Sequence, residues 1–274
     1  MTPSHEYVLG QSARAARRLE IQDAHFGDAS ERLLDELALR PNDRVVEFGC
    51  GPGYFSRRIL RRLGPDTMLV GVDGSEALLA QARTLLEGMG PAKFEPVQAD
   101  ITQLGPWLDG ADVVIGRAVL HHVPMVEFLF GRLRAALRPG TRVGFLEPDF
   151  RTPLGRLAYL EATGRPELAV LGAWATVINH LYELRRLSPD VGPMLAQTLE
   201  TAGYRRVRAA CSECDTDETV IENLVMFYDE VRDALQSMGI MNAEEIERQQ
   251  RLLRALPPGP LPPAWCMHRV ACEA

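Results

Sequence analysis

The chain has too few cysteines to staple a fold: five in 274 residues, an odd number and widely scattered. Cys211 and Cys214 form a C-x-x-C, but no second pair and no histidine cluster accompanies them, so reduced, strand-associated thiols are favoured over a zinc or redox site and no metal is expected. No run of about 18 uncharged apolar residues is present, which excludes a membrane-spanning helix. The opening MTPSHEYVLG has neither a basic stretch nor an apolar one, so no secretory signal is read and cytoplasmic residence is expected. Basic excess is lacking too. A net charge of −7 argues against a general nucleic-acid binder, and the pairs Arg57-Arg58 and Arg61-Arg62 read as one solvated helix face. Internal repeats and low-complexity tracts are absent apart from a proline-rich turn at 257–263. What remains, 46% hydrophobic and 24% charged, is the composition of a globular protein.

Apolar periodicity alternates regularly from residue 30 onward. A helix is predicted over 29–39 with Ser30 as its cap, then strand 44–48, helix 53–63, strand 68–72 and a helix over 75–88 opened by Ser75. Strand 93–98, strand 112–116, helix 124–137 and strand 142–147 follow. Short strands rich in Val, Ile and Leu, interleaved with helices, predict an α/β protein with a parallel sheet covered on both faces. After Asp149 the rhythm changes to helical stretches over 153–201 and 217–255, broken by strand-like YRRVRAACSE and closed by WCMHRVAC.

Residues 45–53, VVEFGCGPG, run a buried strand into glycine at 49, 51 and 53, followed by a helix. Glycine permits tight turning and lets backbone N–H groups approach a ligand without a Cβ between them. A dinucleotide fingerprint beginning at Gly49 needs glycine at 54, where Tyr54 stands. The pattern is instead E-x-G-x-G-x-G, with Glu47 two residues before the first glycine. This resembles motif I of the class I S-adenosylmethionine-dependent methyltransferases.

The resemblance covers about 45–150 well and is topological elsewhere. It implies a Rossmann-like, seven-stranded, mostly parallel sheet whose last two strands pair antiparallel at the edge. Residues 1–28 would be an N-terminal lid, 29–150 the cofactor-binding core, 151–203 a helical cap insertion, and 204–274 the end of the core with a further insertion at 217–255. Within the lid, Tyr7 to Gly10 and Arg14 read either as a gate or as a frayed terminus. S-adenosylmethionine is the implied cofactor, bound by Glu47, Gly49, Gly51, Gly53, Asp73, Gly74, Asp100, Ile101 and Arg117. Asp73 would take the ribose hydroxyls; alternatively it caps the next helix, a role for which Ser75 is the better candidate. Asp100 would receive the adenine amino group and the Ile101 N–H a ring nitrogen; the alternative for Asp100 is a turn former. Arg117 would lie beneath the methionine part, or neutralise a carboxylate such as Glu47. Segments 118–124 (AVLHHVP) and LRPGTRVGFLEPDF resemble the small-molecule, quinone-methyltransferase-like branch.

The sulfonium methyl is already activated, so the protein must align a nucleophile and exclude water, with a base where the acceptor is protonated. His121 is the first candidate base and His122 the second; packing is the alternative for both. Glu147 and Asp149 end the fifth strand as candidate base or substrate ligands. His180 and Tyr182 lie among Trp174, Ile178 and Leu181, either in the core or facing a pocket as part of a lid. The expected acceptor is a small, largely apolar metabolite such as a quinone, polyketide, terpenoid or aromatic compound, methylated on oxygen or carbon. Non-methylating chemistry such as cyclisation, and S-adenosylmethionine binding without catalysis, are the alternatives; a nicotinamide oxidoreductase ranks last. Oligomeric state is left open, a homodimer included.

Overall fold

The computed structural model describes residues 13–162, 164–213, 216–258 and 261–274. The expected strands form: β1 (Val45–Phe48), β2 (Met68–Asp73), β3 (Lys93–Gln98), β4 (Val113–Arg117), β5 (Arg142–Asp149), β6 (Arg205–Glu213) and β7 (Cys266–Glu273). They build one sheet in the order β3-β2-β1-β4-β5-β7-β6. All central pairings are parallel, and β7 runs antiparallel to both β5 and β6. The order reverses between β1 and β4, and in an open parallel sheet that switch opens a crevice at the strands' carboxyl ends.

Side chains alternate across this sheet as the pleat requires. Val45, Leu69 and Val113 pack against α2 (Gly27–Glu36), α3 (Tyr54–Leu60) and α4 (Glu76–Leu86). Val46, Val70 and Val114 pack the other way, against α5 (Val126–Ala136) and α8 (Val191–Thr201). Burial on both faces explains why these strands read as continuous apolar runs.

One helix start differs from expectation. α2 begins at Gly27, and Ser30 lies inside it, donating its Oγ hydrogen back to the Phe26 carbonyl at 2.7 Å. A serine within a helix satisfies its hydroxyl this way, so the capping signature was local chemistry without a helix end. Before it runs α1 (Ala13–His25). Ser75 does cap α4, accepting the Leu78 N–H at 3.3 Å.

The remaining helices are α6 (Thr152–Ala162), α7 (Ala169–Leu184), α9 (Glu218–Glu230), α10 (Arg232–Ser237) and α11 (Ala243–Arg254), of which α7 and α9 line the crevice. Trp174, Ile178, Leu224, Phe227, Ile246 and Leu253 belong to the same apolar cluster as Leu33 and Ile115 of the sheet layer. Each such buried side chain stabilises by about 2 kcal/mol, so this layer folds with the sheet. α1 docks on α9, where Asn223 Nδ2 donates to the Arg18 carbonyl at 3.2 Å. The candidate gate at Tyr7 to Gly10 lies outside the described residues, as does Cys214 of the C-x-x-C pair. Among the described residues no helix is long and apolar enough to cross a membrane, and no three metal-ligating side chains group together.

Candidate cofactor and acceptor site

A cavity of about 1020 Å³ lies at the carboxyl ends of β1, β2 and β4, roofed by the helical layer. The glycine loop forms its floor. Gly49, Gly51 and Gly53 have φ of +63°, +52° and +88°, a region closed to most side chains. Gly49 and Cys50 donate their N–H groups to the Val72 carbonyl at 2.8 and 3.2 Å, tying the loop to the end of β2. A Cβ on Gly49 would meet Val119 Cγ2 at 2.4 Å, whereas one on Gly51 would meet nothing within 4 Å. Gly51 lines the cavity, so the space a side chain would fill is left to a ligand.

Asp73 lies at the rim. Its Oδ2 accepts the Gly51 N–H at 2.9 Å and its Oδ1 the Ser75 N–H at 2.8 Å. Burial raises the Asp73 carboxyl above its usual range, opposed by those two N–H groups. Each oxygen retains capacity for one further donor, which is the requirement for two ribose hydroxyls. Asp100 Oδ1 accepts the Thr102 N–H at 2.8 Å and its hydroxyl at 2.7 Å. Asp100 is therefore a turn former, and it also lines the cavity beside Ile101. Gly74 lines the same wall.

Glu47 lines the cavity from below. It accepts the Ser56 hydroxyl at 2.5 Å, and burial pushes its carboxyl up to about 8 against that hydrogen bond and the nearby Arg117 charge. Arg117 does not make its ion pair with Glu47. Its Nη1 donates to Asp23 Oδ1 at 2.8 Å and to Ser30 Oγ at 3.1 Å, and its guanidinium lies 4.8 Å from the Phe55 ring centre. The partner missed from sequence, Asp23, comes from α1, far away along the chain. Burial opposes ionisation of Asp23, but Arg117 and Arg58 outweigh it and hold the carboxyl below its usual range.

The catalytic candidates separate. Glu147 does not line the cavity. Its Oε1 accepts the N–H groups of Val119 and Leu120 at 2.9 and 3.0 Å; its Oε2 accepts the His121 N–H at 3.3 Å and pairs with His121 Nδ1 at 2.8 Å. A carboxylate so occupied shapes the loop after β4 and has no site for a substrate proton, which corrects the sequence expectation. His180 is exposed on α7 and does not line the cavity, so the expectation of a basic group aimed inward is also corrected. Helical phase explains this, since Ile178 and Tyr182 take the inward face of that turn. Asp149 is buried, accepting the Arg151 and Thr152 N–H groups at 2.8 and 3.0 Å and pairing with His268 Nε2 at 3.3 Å. His121 and His122 do line the cavity, their ring centres 4.0 Å apart and each 5.6 Å from Tyr182. Burial, helped by the Arg18 charge, lowers His121 to about 3. Burial also pushes His122 well down, helped by His121 and Arg18. Burial thus disfavours the charged form of both rings.

The far end of the cavity is one that sequence reasoning largely missed. Phe150, Trp174, Tyr182, Phe227 and Trp265 line it, with Arg18 from α1. Trp174 lies 5.8 Å from Phe150, 5.5 Å from Phe227 and 5.5 Å from Trp265 between ring centres. No local motif joins these residues; the one available signal was an arginine within the helical periodicity of ARAARRLEIQ.

Residues 46–143 match the family model described as a methyltransferase domain. The chain is 36% identical over 164 residues to a trans-aconitate 2-methyltransferase of Variovorax paradoxus, an alignment covering 60% of this chain and 58% of that protein. A trans-aconitate 2-methyltransferase of Methylobacterium nodulans is 35% identical, with 59% and 60% covered. The chain thus spans less than two thirds of the length of these two curated relatives. Among solved structures, a Bacillus halodurans protein described as a methyltransferase superposes with a TM-score of 0.59 at 15% identity, covering 90% of this chain and 98% of its own. A (4+2)-cyclase superposes with a TM-score of 0.52 at 16% identity, covering 90% and 79%. At these identities the likeness is one of fold. The domain match over residues 46–143 and the fold likeness agree with the resemblance of the glycine motif to the class I S-adenosylmethionine-dependent methyltransferases. S-adenosylmethionine is the cofactor that this likeness implies.

Proposed function

We propose that the protein transfers a methyl group from S-adenosylmethionine to an oxygen of a small, largely apolar acceptor. The observation that carries this reading is one continuous cavity joining the glycine loop, Asp73 and Asp100 to a chamber walled by aromatic rings. When bound, the cofactor supplies an electrophilic methyl; the chain's residues then have to bind, orient and exclude water.

In this reading Gly49, Gly51 and Gly53 let the backbone approach the cofactor, Asp73 and Gly74 hold its ribose, and Asp100 with the Ile101 N–H holds its adenine. Glu47 and Arg117 shape the floor beneath it. His121, tied to Glu147, fixes the loop after β4 against the reacting end. The roofing helices keep water away from that end. Residues 13–28, together with α6, α7 and α9, would serve as the lid and cap expected from the sequence. The relatives named for trans-aconitate make an oxygen of a carboxylate the first acceptor atom to test.

The test is incubation with S-adenosylmethionine and a panel of carboxylic acids, phenols and quinols, read by mass spectrometry for the mass gain of one methylene. Conversion of an acceptor with matching release of S-adenosylhomocysteine supports the proposal. Cofactor binding without turnover of any class would favour the non-methylating reading that the cyclase neighbour represents.

A further inference from the structure

The chamber beyond the glycine loop has donors without acceptors. Arg18 is 2% exposed; its Nε donates to Glu230 Oε1 at 2.9 Å, and its Nη2 has no hydrogen-bond partner among the described residues. The indole N–H groups of Trp174 and Trp265 also have no partner among the described residues. All three residues line the same cavity. A buried N–H left without an acceptor costs about 1–3 kcal/mol, so three such groups on residues that line one chamber favour a ligand that brings acceptors. The arginine is held in place from two sides, by Glu230 at its guanidinium and by Asn223 at its backbone carbonyl.

The rest of the wall limits what that ligand is. Phe150, Ile178, Tyr182 and Phe227 offer rings and an aliphatic face. Among the described lining residues, Arg18 is the buried cation with an unpartnered N–H. Arg117 is committed to Asp23, and Arg185 is only half-buried. Of the candidate bases, Glu147 is occupied by the loop after β4, His180 lies outside, and Asp149 is bound to the start of α6. His121 gives its Nδ1 to Glu147. An acceptor that arrives ionised needs no base to remove a proton.

Resting on the methyl-transfer reading, we propose that the acceptor is an apolar monocarboxylic acid, its carboxylate held by Arg18 and its body laid along the aromatic wall, and that the product is its methyl ester. A carboxylate oxygen lone pair forms the new C–O bond as the C–S bond to the methyl breaks. The electron pair stays on sulfur, giving the neutral thioether, and no proton is released. A tricarboxylate such as the acceptor named for the relatives would bring three anions to a chamber with one buried cation of this kind, so it is the poorer fit.

The experiment uses the full chain saturated with S-adenosylhomocysteine and compares octanoate, octanol, octanamide and trans-aconitate by calorimetry. Methyl ester formation from octanoate in the presence of S-adenosylmethionine is followed in parallel. Octanoate should bind roughly tenfold or more tightly than the alcohol and the amide, tighter than trans-aconitate, and be esterified. Because removing Arg18 alone takes its cation away from the buried Glu230 carboxylate, the test protein carries Arg18→Met with Glu230→Gln. It should lose the preference for the carboxylate while keeping its S-adenosylhomocysteine affinity within about twofold. Equal binding of octanoate and octanol, a preference that survives the double substitution, or preferred turnover of trans-aconitate overturns the inference. Failure of the unaltered protein to bind S-adenosylhomocysteine overturns the underlying methyl-transfer reading as well, whereas cofactor binding without a carboxylate preference overturns this inference alone.

Discussion

The two ends of the cavity are built from different materials. At the glycine end, positions are set by backbone: positive φ at Gly49, Gly51 and Gly53, N–H groups tied to Val72, and one carboxylate, Asp73, reaching back to Gly51. At the aromatic end, positions are set by side chains from α1, α7, α9 and the segment before β7, held together by ring packing and the buried Arg18–Glu230 pair. A backbone device tolerates few residue types at each position and so leaves a local pattern. A side-chain wall assembled from four distant segments leaves none. In the proposed reading, cofactor recognition is therefore confined to short motifs, while acceptor recognition is spread over the chain and free to vary.

The largest effect that would break this division is at Asp73. Asp73→Ala removes the anchor of the Gly51 N–H and the proposed ribose ligand together, and should weaken S-adenosylhomocysteine binding by about 100-fold or more in calorimetry. Undiminished affinity would mean that the glycine end is not the cofactor end. Next comes the backbone itself. In Gly49→Ala the new Cβ would lie 2.4 Å from Val119 Cγ2 at a φ of +63°, so a loss of about 2–3 kcal/mol in urea unfolding is expected. Gly74→Ala has open space at normal φ and should stay within about 0.5 kcal/mol of the parent protein. Equal behaviour of the two glycine variants would refute the account of the loop.

Legibility followed the same division. Strand positions, the Ser75 cap, and the register of Glu47, Asp73 and Asp100 at strand ends could all be read, because each depends on residues within a few positions of one another. Ser30 was misread because its hydroxyl meets a carbonyl of its own helix, which carries the same local signature as a cap. Glu147 was misread because its four donors come from β4's loop, some 26 residues earlier in the chain. Arg18 and Trp265 are 247 positions apart yet share a wall, and no spacing rule joins them.

Where the two regions meet, the pH dependence sharpens the picture. Burial works against ionisation of Asp149, but hydrogen bonds from His268, Thr152 and Arg151 outweigh it and bring the carboxyl from 3.8 down to about 2. A depressed carboxyl stabilises the fold above its ordinary value and loses that contribution as pH falls towards its folded value. Asp149→Asn should cost about 2 kcal/mol at neutral pH, and the gap should close as unfolding is measured from about pH 4 down to about pH 2. A gap that persists undiminished in acid would show that charge is not what holds the start of α6. The smallest effect belongs to His180. On the exposed face of α7, His180→Ala should leave turnover and S-adenosylhomocysteine affinity within about twofold. A large loss of turnover would move the acceptor chamber to the other side of that helix.

The most direct test of the division is a crystal structure with S-adenosylhomocysteine bound. Adenine should lie beside Asp100 and Ile101, the ribose hydroxyls on Asp73, and the sulfur should open onto the chamber of Arg18, Trp174 and Trp265. A cofactor whose adenosine lies among the aromatic rings, or whose sulfur opens away from them, would contradict it.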